Sequence, residues 1–343
     1  MRRLGVIVCN SGRGHLKRVL WVLRKLLERA KLPLQVDIFV NKEKLLAFET
    51  LIAEINGFSS KVYFHDIKAG VIAYEEEFLK NYAHFFKEAN YIWSDNLVFP
   101  VKHHPNVFLT GQFLWADVVD NEIFVNNEKS MLRQANPPMI GVEYFATPNV
   151  RELTRFIGVG HFNYLLPSNE GGDRRGILLA CGGTEEANVY FNEQLNEVLK
   201  KVGALADHAL IFVEPLFWDR FPRHKNIQKA LFSDDMYSQV AAAVIRPGMG
   251  TICDCLAKRV KIFSFYEEGN FELAFNSQVL KERGVGVDAA NIPHALDLAF
   301  GYLNNAQEQR QYQKNVGLIK GNGLNLVVDE IRKLIGDHHE SYK

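Results

Sequence analysis

Cysteine is scarce in this sequence, with four among 343 residues. They stand at Cys9, Cys181, Cys253 and Cys255, too few and too scattered for a disulfide framework. Cys253 and Cys255 are two positions apart, but no second Cys/His pair at zinc-ligand spacing accompanies them. Buried helix cysteines are therefore expected, and no metal site. A surplus of one charge is also lacking: Lys plus Arg and Asp plus Glu each number 40. That balance excludes a global field holding the chain on nucleic acid or an anionic membrane, so an anionic ligand must be bound by local groups. No apolar run approaches the roughly 18 residues that a spanning helix needs. The short run after Arg2 and Arg3 meets a glycine loop instead of a small-residue cleavage site, and reads as a strand, not a signal peptide. Low-complexity segments and short-period repeats are missing too. A soluble, cytoplasmic protein is the expectation.

What is present is enough apolar material, 47% of 343 residues, for two cores of ordinary size. Residues 4–9 (LGVIVC) are an unbroken, β-branched-rich run, as expected of a strand covered on both faces of a parallel sheet. Asn10 to Gly14 turn the chain. From His15 to Ala30, Leu16, Val19, Leu20, Leu23, Leu26 and Leu27 then recur at helical spacing. The pattern restarts mid-chain, with ILLAC (177–181) as strand, Gly182, Gly183 and Thr184 as turn, and residues 188–202 as helix. Between the halves lies SNEGGDRRG (168–176), of linker composition. The domains are accordingly expected at 1–168 and 176–323, with a closing amphipathic helix over 324–343 that returns to the first domain. Further strands are expected at 36–40, 61–67, 209–213, 241–246 and 261–265, so each half should be an open, doubly wound, Rossmann-like α/β sheet. In such sheets ligands sit outside the carboxyl ends of the strands, and glycine loops let backbone N–H groups approach an anion at a helix start. Gly12 and Gly14 in one half, and Gly182, Gly183 and Thr184 in the other, are candidates for that work.

The stretch 232–276 carries a family resemblance. Asp234 and Asp235 precede Met236; Arg246, Gly248, Met249, Gly250, Thr251 and Asp254 form a turn with a following acidic residue; Asn276 comes late. This resembles the nucleotide-binding half of MurG-type glycosyltransferases. GRGHLKR (12–18) with CGGTEE (181–186) is similar to the related PseG-type UDP-sugar hydrolases. The resemblance implies the GT-B architecture, two Rossmann-like domains facing a cleft. It also implies an inverting, metal-independent glycosyltransferase with a nucleotide-sugar donor, UDP-linked by preference. Two alternatives stand beside it, a nucleotide-sugar hydrolase of PseG type and a non-catalytic sugar-nucleotide-binding protein. No cofactor is implied beyond the nucleotide-sugar substrate.

Residue by residue, the helix start at Gly248–Thr251 would meet a pyrophosphate and Asp254 the ribose hydroxyls, although the family carries the longer glutamate there. Phe232 and Met236 would flank the base, Arg246 would face the leaving diphosphate, and Glu272 and Asn276 would contact the sugar end. His15, at a helix start whose positive end disfavours a second proton on its ring, is the candidate base. Asp95, in YIWSDNLVF, is a second candidate base at a strand end. Lys17 and Arg18 are either phosphate ligands or solvated helix charges. Asp234–Asp235 reads as a helix start in place of a manganese site. His103 and His104, adjacent before a proline, read as loop residues. Between Tyr63 and Trp115 the chain is rich in aromatics, which are open to two uses: filling the core, or lining a groove for a sugar or lipid acceptor with peripheral membrane contact.

Overall fold

The computed structural model describes residues 1–12, 14–30, 33–58, 60–162, 174–182 and 184–336. The expected linker at 168–176 falls outside these up to residue 173, and so do Gly183 and the last seven positions of the closing segment. The chain divides into two compact units, Met1–Gly160 with Asn322–Lys343, and His161–Gly321.

The first unit is built on a seven-stranded sheet in the order β3-β2-β1-β4-β5-β6-β7. Its strands are β1 (Arg2–Val8), β2 (Leu34–Val40), β3 (Lys61–Asp66), β4 (Tyr91–Asp95), β5 (Val107–Thr110), β6 (Pro138–Val142) and β7 (Arg155–Val159). The second unit has six strands in the order β10-β9-β8-β11-β12-β13. These are β8 (Gly176–Ala180), β9 (Leu210–Val213), β10 (Ile227–Lys229), β11 (Val240–Ile245), β12 (Lys261–Ser264) and β13 (Gly286–Asp288). Every pairing is parallel. Both units are therefore doubly wound, and their strand order reverses at equivalent places, β1/β4 and β8/β11. At those switch points the crossovers leave in opposite directions and open a crevice at the strands' carboxyl ends. The register sets Val8 beside Asp95 in one unit and Ala180 beside Ile245 in the other.

Burial explains the strand signal. Val6, Ile7 and Val8 of β1 and Val244 and Ile245 of β11 have no measurable exposure, as strands with helices on both faces require. The helix Gly14–Arg29 buries Leu16, Val19, Leu20, Leu23, Leu26 and Leu27, the periodic set read from sequence. The helix Gly323–Leu334 packs on it and on β6 and β7. Arg29 ties the two by donating to Asn325 Oδ1 (2.6 Å) and Asp329 Oδ1 (3.3 Å).

One expectation needs correction. The helix over 188–202 is two helices, Glu185–Glu193 and Leu195–Leu205. Gln194 breaks the run because its backbone leaves helical angles (φ −106°, ψ 0°), and its side-chain carbonyl accepts the Ile292 N–H at 3.0 Å. Most of the aromatics between Tyr63 and Trp115 fill the core of the first unit: Tyr74, Phe78, Phe85, Phe86, Trp93, Phe99, Phe108 and Phe113 are all buried. The ring of Phe39 alone meets Phe78 at 4.8 Å, Phe85 at 4.9 Å and Tyr82 at 5.1 Å. Tyr63, 45% exposed, is an exception. Cys253 and Cys255 are buried in the helix Met249–Ala257. No helix among the described residues is long and apolar enough to cross a membrane.

Candidate functional site

In the first unit the switch point carries a buried charge network. Gly12 takes a left-handed backbone (φ +64°), which lets the chain turn sharply from β1 into the helix Gly14–Arg29. His15 thereby sits in the first turn of that helix, and Asp95 closes β4 one strand over. The two residues, 80 apart in sequence, meet: His15 Nδ1 lies 2.7 Å from Asp95 Oδ2. Asp95 Oδ1 accepts from Arg18 Nε (3.1 Å), Arg18 Nη2 (2.7 Å) and the Thr110 hydroxyl (2.8 Å). Thr110 in turn accepts the Trp93 indole N–H at 2.8 Å, and Arg18 Nη1 reaches Gln112 Oε1 at 3.3 Å.

Asp95 has no exposed surface. Burial pushes its carboxyl up, but the Arg18 guanidinium and the His15 contact outweigh that and hold it below the ordinary carboxylate range. An ionised carboxylate only accepts, so the ring carries a proton on Nδ1, and in the neutral ring the lone pair then lies on Nε2. Arg18 Nη2 also lies 3.1 Å from Nδ1, but its shorter contact, to Asp95, is the one that can be a hydrogen bond in this tautomer. The imidazole side chain is 13% exposed, flanked by Phe113 and Trp115 with ring centroids at 6.4 Å. An imidazole held at one nitrogen by a carboxylate can, in its neutral form, take up a proton through the other.

The candidate base Asp95 is thus corrected. Sealed from solvent, it does not stand open to a substrate and is instead bonded to the His15 ring. Arg18 is corrected as well, because it is buried against Asp95 and is neither a phosphate ligand nor a solvated charge. A stability effect follows from the depressed carboxyl. The folded state releases the Asp95 proton at lower pH than the unfolded chain does. Its contribution is therefore whole above about pH 4, the unfolded value, and drains away as pH falls toward the lower folded value. Acid unfolding of Asp95→Asn is expected to show a shallower loss over that range than wild type, measured by circular dichroism against pH.

The second unit places its candidates less uniformly. Gly182 has φ +85° and turns the chain after β8, and Thr184 caps the helix Glu185–Glu193 by accepting the Ala187 N–H at 3.3 Å. The Gly182 N–H, expected to face an anion, instead donates to Glu214 Oε2 at 2.9 Å, as the Cys181 N–H does at 2.7 Å. Glu214 follows directly on β9, the strand beside β8, and its place after a strand end was the available sequence signal. Replacing Glu214 by alanine is expected to cost about 1–3 kcal/mol of stability by stranding these two donors, readable in urea unfolding.

Arg246 is likewise engaged. Its Nε donates to Glu267 Oε2 at 3.0 Å and its Nη2 to Oε1, a forked pair that holds Glu267 below the ordinary carboxylate range against the upward push of burial. Met236 (3% exposed) and Asn276 (1%) are core residues and present no face to a ligand. Asn276 Nδ2 holds the turn after β11 by donating to Pro247 O at 3.0 Å. Asp254 is also 2% exposed, on the second turn of its helix, so it does not stand open to a ribose. Asp234 and Asp235 begin the helix Asp234–Gln239, with Ser233 as its cap.

Two features stay open to a ligand. The helix Met249–Ala257 starts behind Gly248, which has no side chain to cap it, so the amides of Met249, Gly250 and Thr251 meet no capping side chain. Phe232 holds a left-handed backbone (φ +51°), an uncommon and costly state for a bulky residue, on the half-buried approach to that region. Glu272, a third candidate, is half-buried on the first turn of the helix Phe271–Glu282. Among the described residues no group of three or more His, Cys, Asp or Glu is arranged to hold a metal.

Neither a protein-family model nor a relative among characterised proteins matches the sequence. Solved structures do match over nearly the whole chain. MurG of Acinetobacter baumannii is 17% identical and superposes with a TM-score of 0.62, covering 97% of this chain and 100% of that one. UGT2 of Phytolacca americana, solved with UDP-2-fluoro-glucose and pterostilbene, is 11% identical with a TM-score of 0.65, covering 98% and 100%. LpCGTa, solved with UDP, is 9% identical with a TM-score of 0.68, covering 98% and 99%. The fold is GT-B, as the resemblance implied.

Proposed function

We propose that this protein is an inverting glycosyltransferase that takes a nucleotide-sugar donor, UDP-linked by preference, and needs no metal. The observation that carries the reading is the His15–Asp95 pair, in which Nδ1 is anchored at 2.7 Å and Nε2 is left as a base. The shared fold with transferases solved in complex with UDP and with a UDP-sugar analogue supports the donor class.

In this scheme His15 Nε2 takes the proton of an acceptor hydroxyl as its oxygen bonds to the anomeric carbon. The bond from that carbon to the diphosphate oxygen breaks on the opposite side, and the nucleotide leaves with the electron pair. Displacement from the far side inverts the anomeric centre. The amides of Met249, Gly250 and Thr251, at a positive helix end, offset the charge that develops on the diphosphate. Phe232 is assigned to the base and Glu272 to sugar hydroxyls. Asp95 keeps the imidazole in one tautomer and stabilises the imidazolium that forms.

The test is incubation of the purified protein with UDP-, GDP-, TDP- and CMP-sugars, following nucleotide release with and without a panel of hydroxylated acceptors. Acceptor-dependent release from one donor supports transfer. Stoichiometric release without acceptor replaces it with hydrolysis, and failure of every nucleotide to bind removes the reading.

A further inference from the structure

The helix Glu122–Ala135 and the loops after β3 and β4 enclose a cavity of about 300 Å³ within the first unit. That volume is at the lower end of small-molecule sites. Its walls are apolar, with Val71, Leu97, Val98, Phe99, Phe124 and Met131. Two further lining residues, Ile72 and Ile123, are 60% and 76% exposed. Large aliphatic side chains left in water beside a cavity are surface that a lipophilic occupant covers.

The polar groups of the lining are two amides and two carboxyls, with no Lys, Arg or His among the described residues of the wall. The carboxyls differ. Glu75 already has partners, His103 Nε2 at 2.8 Å and the Lys102 ammonium at 3.8 Å. Glu128 is 3% exposed and accepts the Ala116 backbone N–H, with Asp117 adding a like charge and Lys129, its chain neighbour, the opposing one. A carboxyl in an apolar wall without a matched counter-ion is costly when ionised, and a ligand cation removes that cost.

We propose that this cavity binds a lipophilic amine, its apolar body against Val98, Phe99 and Met131 and its ammonium on the Glu128 carboxylate. The inference rests on the lining alone and does not need the transfer reaction. The loop that sets Phe113 and Trp115 beside His15 also supplies the Ala116 N–H to Glu128, so the cavity shares a wall element with the base. Burial pushes the Glu128 carboxyl up to about 7, the Ala116 N–H only partly opposing it. The ammonium must therefore displace a proton in mildly acidic solution, and affinity is expected to fall from about pH 8 to about pH 6.

The experiment is calorimetric titration of the full chain, without nucleotide, with 4-phenylbutylamine, 4-phenylbutanol and 4-phenylbutanoate. The amine is expected to bind about tenfold or more tightly than the alcohol, as a charge-assisted hydrogen bond does over a neutral one, and the carboxylate not at all. Glu128→Gln, which keeps an acceptor for Ala116, should bring the amine to the level of the alcohol. Met131→Trp, at a half-buried position on the cavity wall, should abolish both. Equal binding of amine and alcohol to wild type, a preference that survives in Glu128→Gln, or no binding of either overturns the proposal. Because no donor is present in the titration, these outcomes are separate from the fate of the transfer reading.

Discussion

Replacement of His15 by alanine is expected to lower kcat by about a hundredfold or more while nucleotide affinity stays at the wild-type value. The reason is geometric. The imidazole is a small side chain whose loss leaves Asp95 with its Arg18 and Thr110 partners, so the fold stays intact, and its Nε2 is the ring nitrogen not tied to Asp95. Nucleotide affinity is assigned to the second unit, where His15 has no part. Initial rates at saturating donor, paired with calorimetric titration of UDP, separate the two quantities. Unchanged turnover would falsify the role of His15, and a parallel loss of UDP affinity would move it to binding.

Asp95→Asn should have an effect of the same order on rate, through a different cause. Asparagine keeps the shape but removes the acceptor-only carboxylate that fixes the Nδ1–H tautomer; in serine proteases the equivalent change costs about 10⁴-fold. Asp95→Ala goes further, because it removes the carboxylate that two Arg18 nitrogens share, and breaking a buried ion pair destabilises by about 3–5 kcal/mol. A purely structural Asp95 would also lower stability, so stability alone does not decide its role. The deciding measurement is the double variant. If Asp95 acts through His15, His15→Ala with Asp95→Asn should turn over no more slowly than His15→Ala alone. Multiplying losses would show that Asp95 works independently of the imidazole.

His15 and Asp95 were both visible in the sequence, one after a glycine turn and one at the end of an apolar run. Their pairing was not. It comes from the adjacency of β1 and β4, which sets Val8 beside Asp95, and an aspartate at a strand end reads the same whether it faces solvent or a buried arginine. Arg18 shows the same limit from the other side. Helical periodicity placed it among charged positions, yet it lies over the switch point, where Asp95, Gln112 and the ring of His15 surround it. Glu214 and Glu267 went unnoticed because their partners, the glycine-loop amides and Arg246, are 32–33 and 21 residues away.

Motif spacing misled in a related way at Asp254, Met236 and Asn276. Spacing sets which turn of a helix a residue occupies, but the packing of the neighbouring elements decides which side of that turn is covered, and all three are buried.

By itself the sequence determined the two doubly wound sheets, the glycine turns that follow β1 and β8, and the amphipathic helix after β1. Those features depend on the period of apolar residues and on local backbone freedom, which neighbouring residues encode. Only the tertiary structure decided which charge meets which, because strand order brings together chain ends tens of residues apart, and a buried ion takes whatever partner that order sets within hydrogen-bonding distance.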